Sequence, residues 1–148
     1  MRFNTIIFIL LFSLPFVTKG QESDTDPLPH NSVYFEFLGN GILLSLNYER
    51  IIPIKKDFYF NPRLGIGYAP LLGTDYISFP IELNFTYKKV EVGYGITLIS
   101  PDEEKMILFR LGYRSINNKG NLFRIGFTPV YFDGKFTPFG GISFGGTF

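Results

Sequence analysis

The feature that most constrains this chain is an alternation of apolar and polar residues that runs through most of its length. From residue 32 onwards the period is two, as in a strand with two unlike faces, and no stretch has the 3.6-residue period of an amphipathic helix. We predict eight strands bounded by turn-forming residues, at 32–39, 41–51, 58–69, 76–88, 90–100, 106–115, 122–132 and 136–148. The sequence therefore predicts an all-β fold.

Short connections join the predicted strands. We place them at Gly39-Asn40, 53–57, 70–75, Lys88-Lys89, 101–105, 116–121 and Asp133-Gly134, and Asn-Gly or Asp-Gly turn signals occur among them. Evenly spaced strands with tight turns form an up-and-down meander, and eight of them can close without leaving exposed edges. We therefore predict an antiparallel, up-and-down, eight-stranded β-barrel with short turns.

The two faces of the predicted strands differ in bulk as well as in polarity. One face carries Phe, Tyr, Leu and Ile at nearly every position, and the other carries charges diluted by glycine. So many rings would overfill an eight-stranded barrel, whose interior is just wide enough for side chains. Rings facing lipid around a polar lumen fit better, so we predict a transmembrane barrel. The alternative is a soluble periplasmic barrel, similar to a lipocalin, that carries an apolar ligand.

Eight charged residues share the glycine-rich face, and they are balanced in sign. They are Glu36, Glu49, Arg63, Glu82, Glu91, Arg110, Arg114 and Arg124. Because buried charges must be paired or cost several kcal/mol each, we interpret them as a structural network that occludes the lumen.

No catalytic constellation accompanies these charges. The single histidine, His30, precedes the first predicted strand, so no strand supplies the histidine base that outer-membrane hydrolases and acyltransferases generally need beside a nucleophile. We expect a non-enzymatic protein, without catalytic residues, cofactor or metal site, that acts as a structural or minor envelope component.

The first 20 residues have the features of an export signal. Arg2 supplies the positive charge, residues 6–17 form an apolar run too short to span a membrane as a helix, and Thr18-Lys19-Gly20 offers a cleavage site. Residues 21–31 are polar, contain two prolines and predict a flexible periplasmic tail, which leaves 32–148 for the barrel. The absence of Cys excludes disulfides and a lipoprotein anchor, and the near-neutral, unclustered charge argues against nucleic-acid binding.

The predicted signal peptide, the eight alternating segments and the last strand together resemble the small outer-membrane barrels typified by the OmpX and OmpA transmembrane domains. The chain ends in Phe148, with Phe144 and Ile142 at alternate positions before it, similar to the insertion signal that the barrel-assembly machinery reads in this family. Gly146 stands where a large apolar residue is usual.

This resemblance implies a monomer with a porin-like fold in the outer membrane of a gram-negative cell. Its implied partners are outer-membrane lipid and, during insertion, the barrel-assembly machinery. Both termini would face the periplasm, so the connections at 39–40, 70–75, 101–105 and 133–134 would lie outside the cell. None of these connections is as long as the outer loops that carry binding functions in the family.

Overall fold

The computed structural model describes residues 29–71, 74–100 and 104–148, so the predicted signal peptide (1–20) and most of the predicted tail (21–31) lie outside the described residues. The described chain is all-β. Its strand segments are β1 (Asn31–Leu38), β2 (Leu44–Arg50), β3 (Ile52–Lys55), β4 (Phe58–Leu71), β5 (Thr74–Tyr87), β6 (Val90–Ser100), β7 (Glu104–Ile116), β8 (Asn121–Phe127), β9 (Val130–Phe132), β10 (Lys135–Thr137) and β11 (Gly140–Thr147). Within the described part of the chain, no helix is long and apolar enough to cross a membrane.

These segments form eight barrel strands, because three of the strands are interrupted. Residue 51 separates β2 from β3, residues 128–129 separate β8 from β9, and residues 138–139 separate β10 from β11. Pro129 and Pro138 lie in the last two interruptions, where a residue without an N–H group cannot donate to the ladder.

The barrel is closed between its first and last strands. β1 pairs antiparallel with β11, from Ser32 opposite Thr147 to Leu38 opposite Gly141. The other barrel strands pair antiparallel with their neighbours in chain order. The prediction of an eight-stranded, antiparallel, up-and-down barrel is therefore confirmed.

Strand boundaries agree best where the alternation is cleanest. β6 spans Val90–Ser100, as predicted. β4 ends two residues later than predicted, and β5 and β7 each begin two residues earlier than predicted. Asn31, placed in the tail by the sequence, belongs to β1: its N–H donates to the carbonyl of Phe148 at 3.0 Å, and its own carbonyl accepts from Phe148 at 2.9 Å.

The connection between β1 and β2 differs from the prediction. Instead of a two-residue turn at Gly39-Asn40, residues 39–43 form a loop that folds into the barrel, and we call it the inward loop. Asn40 and Gly41 are buried; the Thr97 hydroxyl donates to the Asn40 carbonyl at 2.9 Å, and the Ser78 hydroxyl donates to the Gly41 carbonyl at 3.1 Å. These hydrogen bonds hold the loop across one end of the lumen, so the predicted exposed hairpin turn is wrong.

The barrel has a polar interior and an apolar exterior. Along β5, Ile77, Phe79 and Ile81 are 41–44% exposed, while Ser78 and Glu82, on the other face of the strand, are 1% exposed. Among the described residues, 19 polar or charged side chains are buried, against eight hydrophobic ones, and 30 large hydrophobic side chains are exposed. The face that carries charge and glycine in the sequence is thus the inner face.

Candidate functional site

All eight predicted charged residues lie in the lumen, and none is more than 4% exposed. Seven of the barrel strands contribute them: Glu36 from β1, Glu49 from β2, Arg63 from β4, Glu82 from β5, Glu91 from β6, Arg110 and Arg114 from β7, and Arg124 from β8. Because each strand turns alternate residues inwards, the period of two in the sequence brings these distant positions into one interior.

Four of these residues form a ring of alternating charge, which we call the Glu36 cluster: Glu36, Arg63, Glu82 and Arg110. Arg110 Nη2 lies 2.6 Å from Glu36 Oε1, and its Nε lies 3.2 Å from Glu82 Oε2. Arg63 Nη1 lies 3.1 Å from Glu82 Oε1, and Nη2 of the same residue donates to Glu36. Each guanidinium therefore bridges both carboxylates, and the cluster is neutral.

The other four form a second ring, the Glu49 cluster: Glu49, Glu91, Arg114 and Arg124. Arg114 pairs with Glu49 and lies 3.5 Å from Glu91, while Arg124 pairs with Glu91 and lies 3.9 Å from Glu49. Ser32 donates a further hydrogen bond to Glu49 at 3.2 Å. The two clusters meet where Arg110 Nε lies 3.7 Å from Glu91 Oε1, so the network runs through the lumen.

Tyr34 also lies in the lumen, between two guanidinium groups. The Cζ atoms of Arg63 and Arg124 lie 5.4 and 4.8 Å from its ring centroid, distances at which cation–π attraction operates. Its hydroxyl accepts a hydrogen bond from Arg124, and its exposure is 1%. Tyr34 is not among the predicted luminal residues, although it lies on the same face of β1 as Ser32 and Glu36.

Neutral polar side chains complete the coordination of the charges, although they are not among the residues predicted to form the charge network. Asn47 Oδ1 accepts from Arg63 Nε at 3.1 Å and Nη2 at 2.9 Å. Asn84 donates to Glu82 at 3.2 Å, and the Ser143 hydroxyl lies within hydrogen-bonding distance of Glu36, at 3.3 Å. The alternation of each strand places these residues on the inward face, and that is the sequence signal that identifies them as luminal.

Glycines make room for these side chains. A Cβ on Gly93 would lie 1.9 Å from Asn84 Oδ1, and one on Gly145 would lie 2.3 Å from the Cβ of Tyr34. Since real Cβ atoms do not approach other heavy atoms so closely, the long luminal side chains occupy space that these glycines leave open.

Ion pairs hold the Glu36 and Glu49 clusters together. Every charged group of the two clusters has an opposite charge within 4 Å. His30 is exposed and lies before β1, outside the lumen. Within 29–71, 74–100 and 104–148, no group of three or more His, Cys, Asp or Glu residues is arranged to hold a metal ion.

The residues of the predicted insertion signal lie at the end of the chain. Phe144 is 49% exposed and Phe148 67% exposed, and Ile142 is partly exposed on the same side of β11. Their side chains therefore lie on the outer wall, away from the charged lumen.

Comparisons with known proteins add no further evidence. No family model, no curated protein and no solved structure matches this chain. The fold and the lumen together define the class of molecule: a closed, eight-stranded antiparallel β-barrel with a charged interior.

Proposed function

We propose that this protein is a small outer-membrane β-barrel with an occluded, charged lumen and a structural role in the cell envelope. The observation that carries the proposal is the reversed polarity of the barrel, with charges inside and large apolar side chains outside. Soluble monomers rarely expose contiguous apolar patches of more than a few hundred Å². Surrounding lipid removes the cost of leaving such a wall in water, which is about 25 cal/mol per Å² of apolar surface.

The height of the apolar wall supports a membrane environment. In β5 the outward residues run from Ile77 to Tyr87, a length of about 33 Å at about 3.3 Å per residue. At a strand tilt of about 40°, this length covers about 25 Å along the barrel axis, which is the usual height of the lipid-facing band.

Tyrosines lie near both ends of this wall. They are Tyr48, Tyr87 and Tyr113 at the end that holds Pro29 and Phe148, and Tyr68 and Tyr131 at the other end, all 42–56% exposed. Aromatic side chains with a polar tip are typical of the two interfacial girdles of a membrane barrel. In the proposed orientation the termini face the periplasm, and the outward Phe144 and Phe148 are available to the barrel-assembly machinery.

The contents of the lumen support this proposal over a soluble lipid carrier. A carrier needs an apolar cavity for its ligand, whereas here the Glu36 and Glu49 clusters fill the interior and the inward loop covers one end. Because the charged side chains fill the lumen, a structural role is favoured over transport. Because each of these charges is paired with an opposite charge, a non-enzymatic protein is favoured. The proposed barrel is monomeric.

Fractionation and gel mobility test this proposal together. The full chain, expressed with its export signal in a gram-negative host, should be recovered in the outer-membrane fraction. Unboiled samples should migrate differently from boiled ones on a denaturing gel, because a closed barrel resists detergent until it is heated. Recovery in the soluble periplasmic fraction, monodisperse without detergent and with one mobility, would overturn the membrane proposal.

A further inference from the structure

The lumen opens into a cavity at the end of the barrel that holds Pro29 and Phe148. The cavity measures about 170 Å³, and we call it the terminal cavity. Its polar lining includes Lys88, Lys89, Arg114, Tyr59, Thr86 and Ser115. Three of the lining residues are cations, and no carboxylate is among them.

The two lysines of this lining are available to a ligand. Within the described ranges, neither Lys88 nor Lys89 has a carboxylate within 4 Å. Their ammonium groups instead lie 5.5 Å from the ring centroid of Tyr87 and 5.8 Å from that of Tyr113, respectively. Such a contact is worth only about 0.5–1 kcal/mol at an exposed site, so it does not prevent either ammonium group from donating to an acceptor in the cavity.

Arg114 places a further positive charge beneath the cavity. One of its terminal nitrogens, Nη1, is paired with Glu49, but the other, Nη2, is buried and has no hydrogen-bond partner among the described residues. Because its Nη2 atom has essentially no exposed surface, Arg114 favours an anion in the cavity through its charge and not through a direct hydrogen bond.

The surroundings of the cavity are also basic. The same end of the barrel carries Arg50, Lys55, Lys56 and Lys119, against one carboxylate, Asp57, in the described turns. The nearest luminal carboxylates, those of the Glu49 cluster, are already bound to arginines. The described turns at this end therefore carry more positive than negative charge, which favours anions.

From this geometry we propose that the terminal cavity binds a phosphate group. Lys88 and Lys89 are its charged contacts, Arg114 supplies positive charge from below, and the hydroxyl groups of Tyr59, Thr86 and Ser115 are the neutral donors of the lining. The phosphate comes either from the headgroup of an anionic phospholipid or from a free phosphate ion. The free-ion form of the proposal holds whether or not the barrel resides in a membrane, whereas the headgroup form rests on the proposed membrane location.

The test compares two double variants with equal loss of charge at the same end of the barrel. Lys88→Gln with Lys89→Gln changes the cavity, whereas Lys55→Gln with Lys56→Gln changes neighbouring lysines that do not line it. Circular dichroism first establishes that each full-length variant is folded. Inorganic phosphate is then titrated calorimetrically into each protein, and the number of bound phosphatidylglycerol molecules is measured by native mass spectrometry from nanodiscs, with phosphatidylcholine as the neutral lipid.

We expect the Lys88/Lys89 variant to bind its phosphate ligand at least about tenfold more weakly than the wild type, which corresponds to about 1.4 kcal/mol. The Lys55/Lys56 variant should change affinity by less than about threefold, the range expected for more distant, screened charges. Binding of inorganic phosphate identifies a free-ion site, and binding of phosphatidylglycerol alone identifies a headgroup site. Equal losses in both variants would show a diffuse electrostatic attraction, and that outcome, or no binding of either probe by the wild type, would overturn the proposal.

Discussion

Arg110 offers the sharpest test of the luminal network, because it contacts carboxylates of both clusters. Its side chain is 1% exposed, and it lies 2.6 Å from Glu36, 3.2 Å from Glu82 and 3.7 Å from Glu91. Replacing Arg110 by Met keeps most of the side-chain length but removes the charge. The Glu36 cluster is then left with one uncompensated negative charge in a buried interior.

The size of the effect follows from the contacts that remain. Removing one partner of a buried ion pair costs about 3–5 kcal/mol. Glu36 keeps Arg63 and Ser143, and Glu82 keeps Arg63 and Asn84, so neither carboxylate is left without a donor. We therefore expect Arg110→Met to lower the free energy of unfolding by about 3 kcal/mol, at the lower end of this range.

A double variant separates the ion pair from general damage. In Arg110→Met with Glu36→Gln, the cluster is neutral again, so the loss should be smaller than the sum of the two single losses by more than about 1 kcal/mol. Arg50→Met is the matched control: this residue lies at the rim and donates to Asn31 at 2.8 Å, so its loss should cost less than about 1 kcal/mol.

Equilibrium urea titration of the protein folded into lipid vesicles measures these differences. The folded fraction is read from circular dichroism, and an unchanged slope with a lower midpoint indicates a change in stability alone. A loss below about 0.5 kcal/mol for Arg110→Met, the range of ordinary surface substitutions, would refute the network as a source of stability, and so would strict additivity in the double variant.

Three further predictions concern the wall and the bore. Leu83→Arg places a charge on the outer wall and should cost about 2–4 kcal/mol in vesicles; a harmless substitution would contradict a lipid-facing position. Gly95→Ala should lower the urea midpoint, because its Cβ would lie 2.2 Å from the Ile81 carbonyl oxygen, whereas Gly146→Ala, whose Cβ has its nearest contact at 4.0 Å, should be tolerated. Equal urea midpoints for the Gly95→Ala and Gly146→Ala variants would show that the inward glycines are not needed to make room for the luminal side chains. Purified protein in planar bilayers should show no steady conductance, and a stable ion-selective current would show that the charges line an open path.

The alternation of the sequence predicts most of the wall, and the failures have local physical causes. β6 is predicted from Val90 to Ser100 because its alternation is unbroken and a Lys88-Lys89 turn precedes it. The interruptions at 128–129 and 138–139 each contain a proline, but Pro62 and Pro80 lie within β4 and β5 without interrupting them, so proline alone does not predict where a strand breaks. The interruption at residue 51 has no such marker.

The lumen is predictable in composition but not in its pairing. The alternation of residues along each strand alone assigns all eight charges to one face. The same rule, applied to β1, places Tyr34 on that face as well. Which carboxylate meets which guanidinium depends on strand register and barrel closure: Arg110 reaches Glu36 across 74 residues of sequence. No local spacing encodes that contact.

The inward loop is the part of the fold furthest from its prediction. The sequence predicts a two-residue turn at Gly39-Asn40, and local rules disfavour the positive φ values that Leu38 and Ile42 adopt, 58° and 74°. The hydroxyl groups of Ser78 and Thr97 bind the loop from other strands, so tertiary contacts override the local preference.

The central claim is that the outer wall of this barrel contacts lipid, and one fluorescence measurement tests it most directly. The chain contains no Trp, so Phe109→Trp introduces a single fluorophore on the outer wall, at the middle of β7, where Phe109 is 49% exposed. Lys119→Trp introduces the matched fluorophore in the exposed turn between β7 and β8.

Both variants are reconstituted into vesicles whose acyl chains carry bromine near the bilayer centre, since bromine quenches Trp fluorescence only on contact. The account predicts strong quenching of the Trp at position 109 and little quenching of the Trp at position 119. Equal, weak quenching at both positions, with the protein remaining in the aqueous phase, would contradict it.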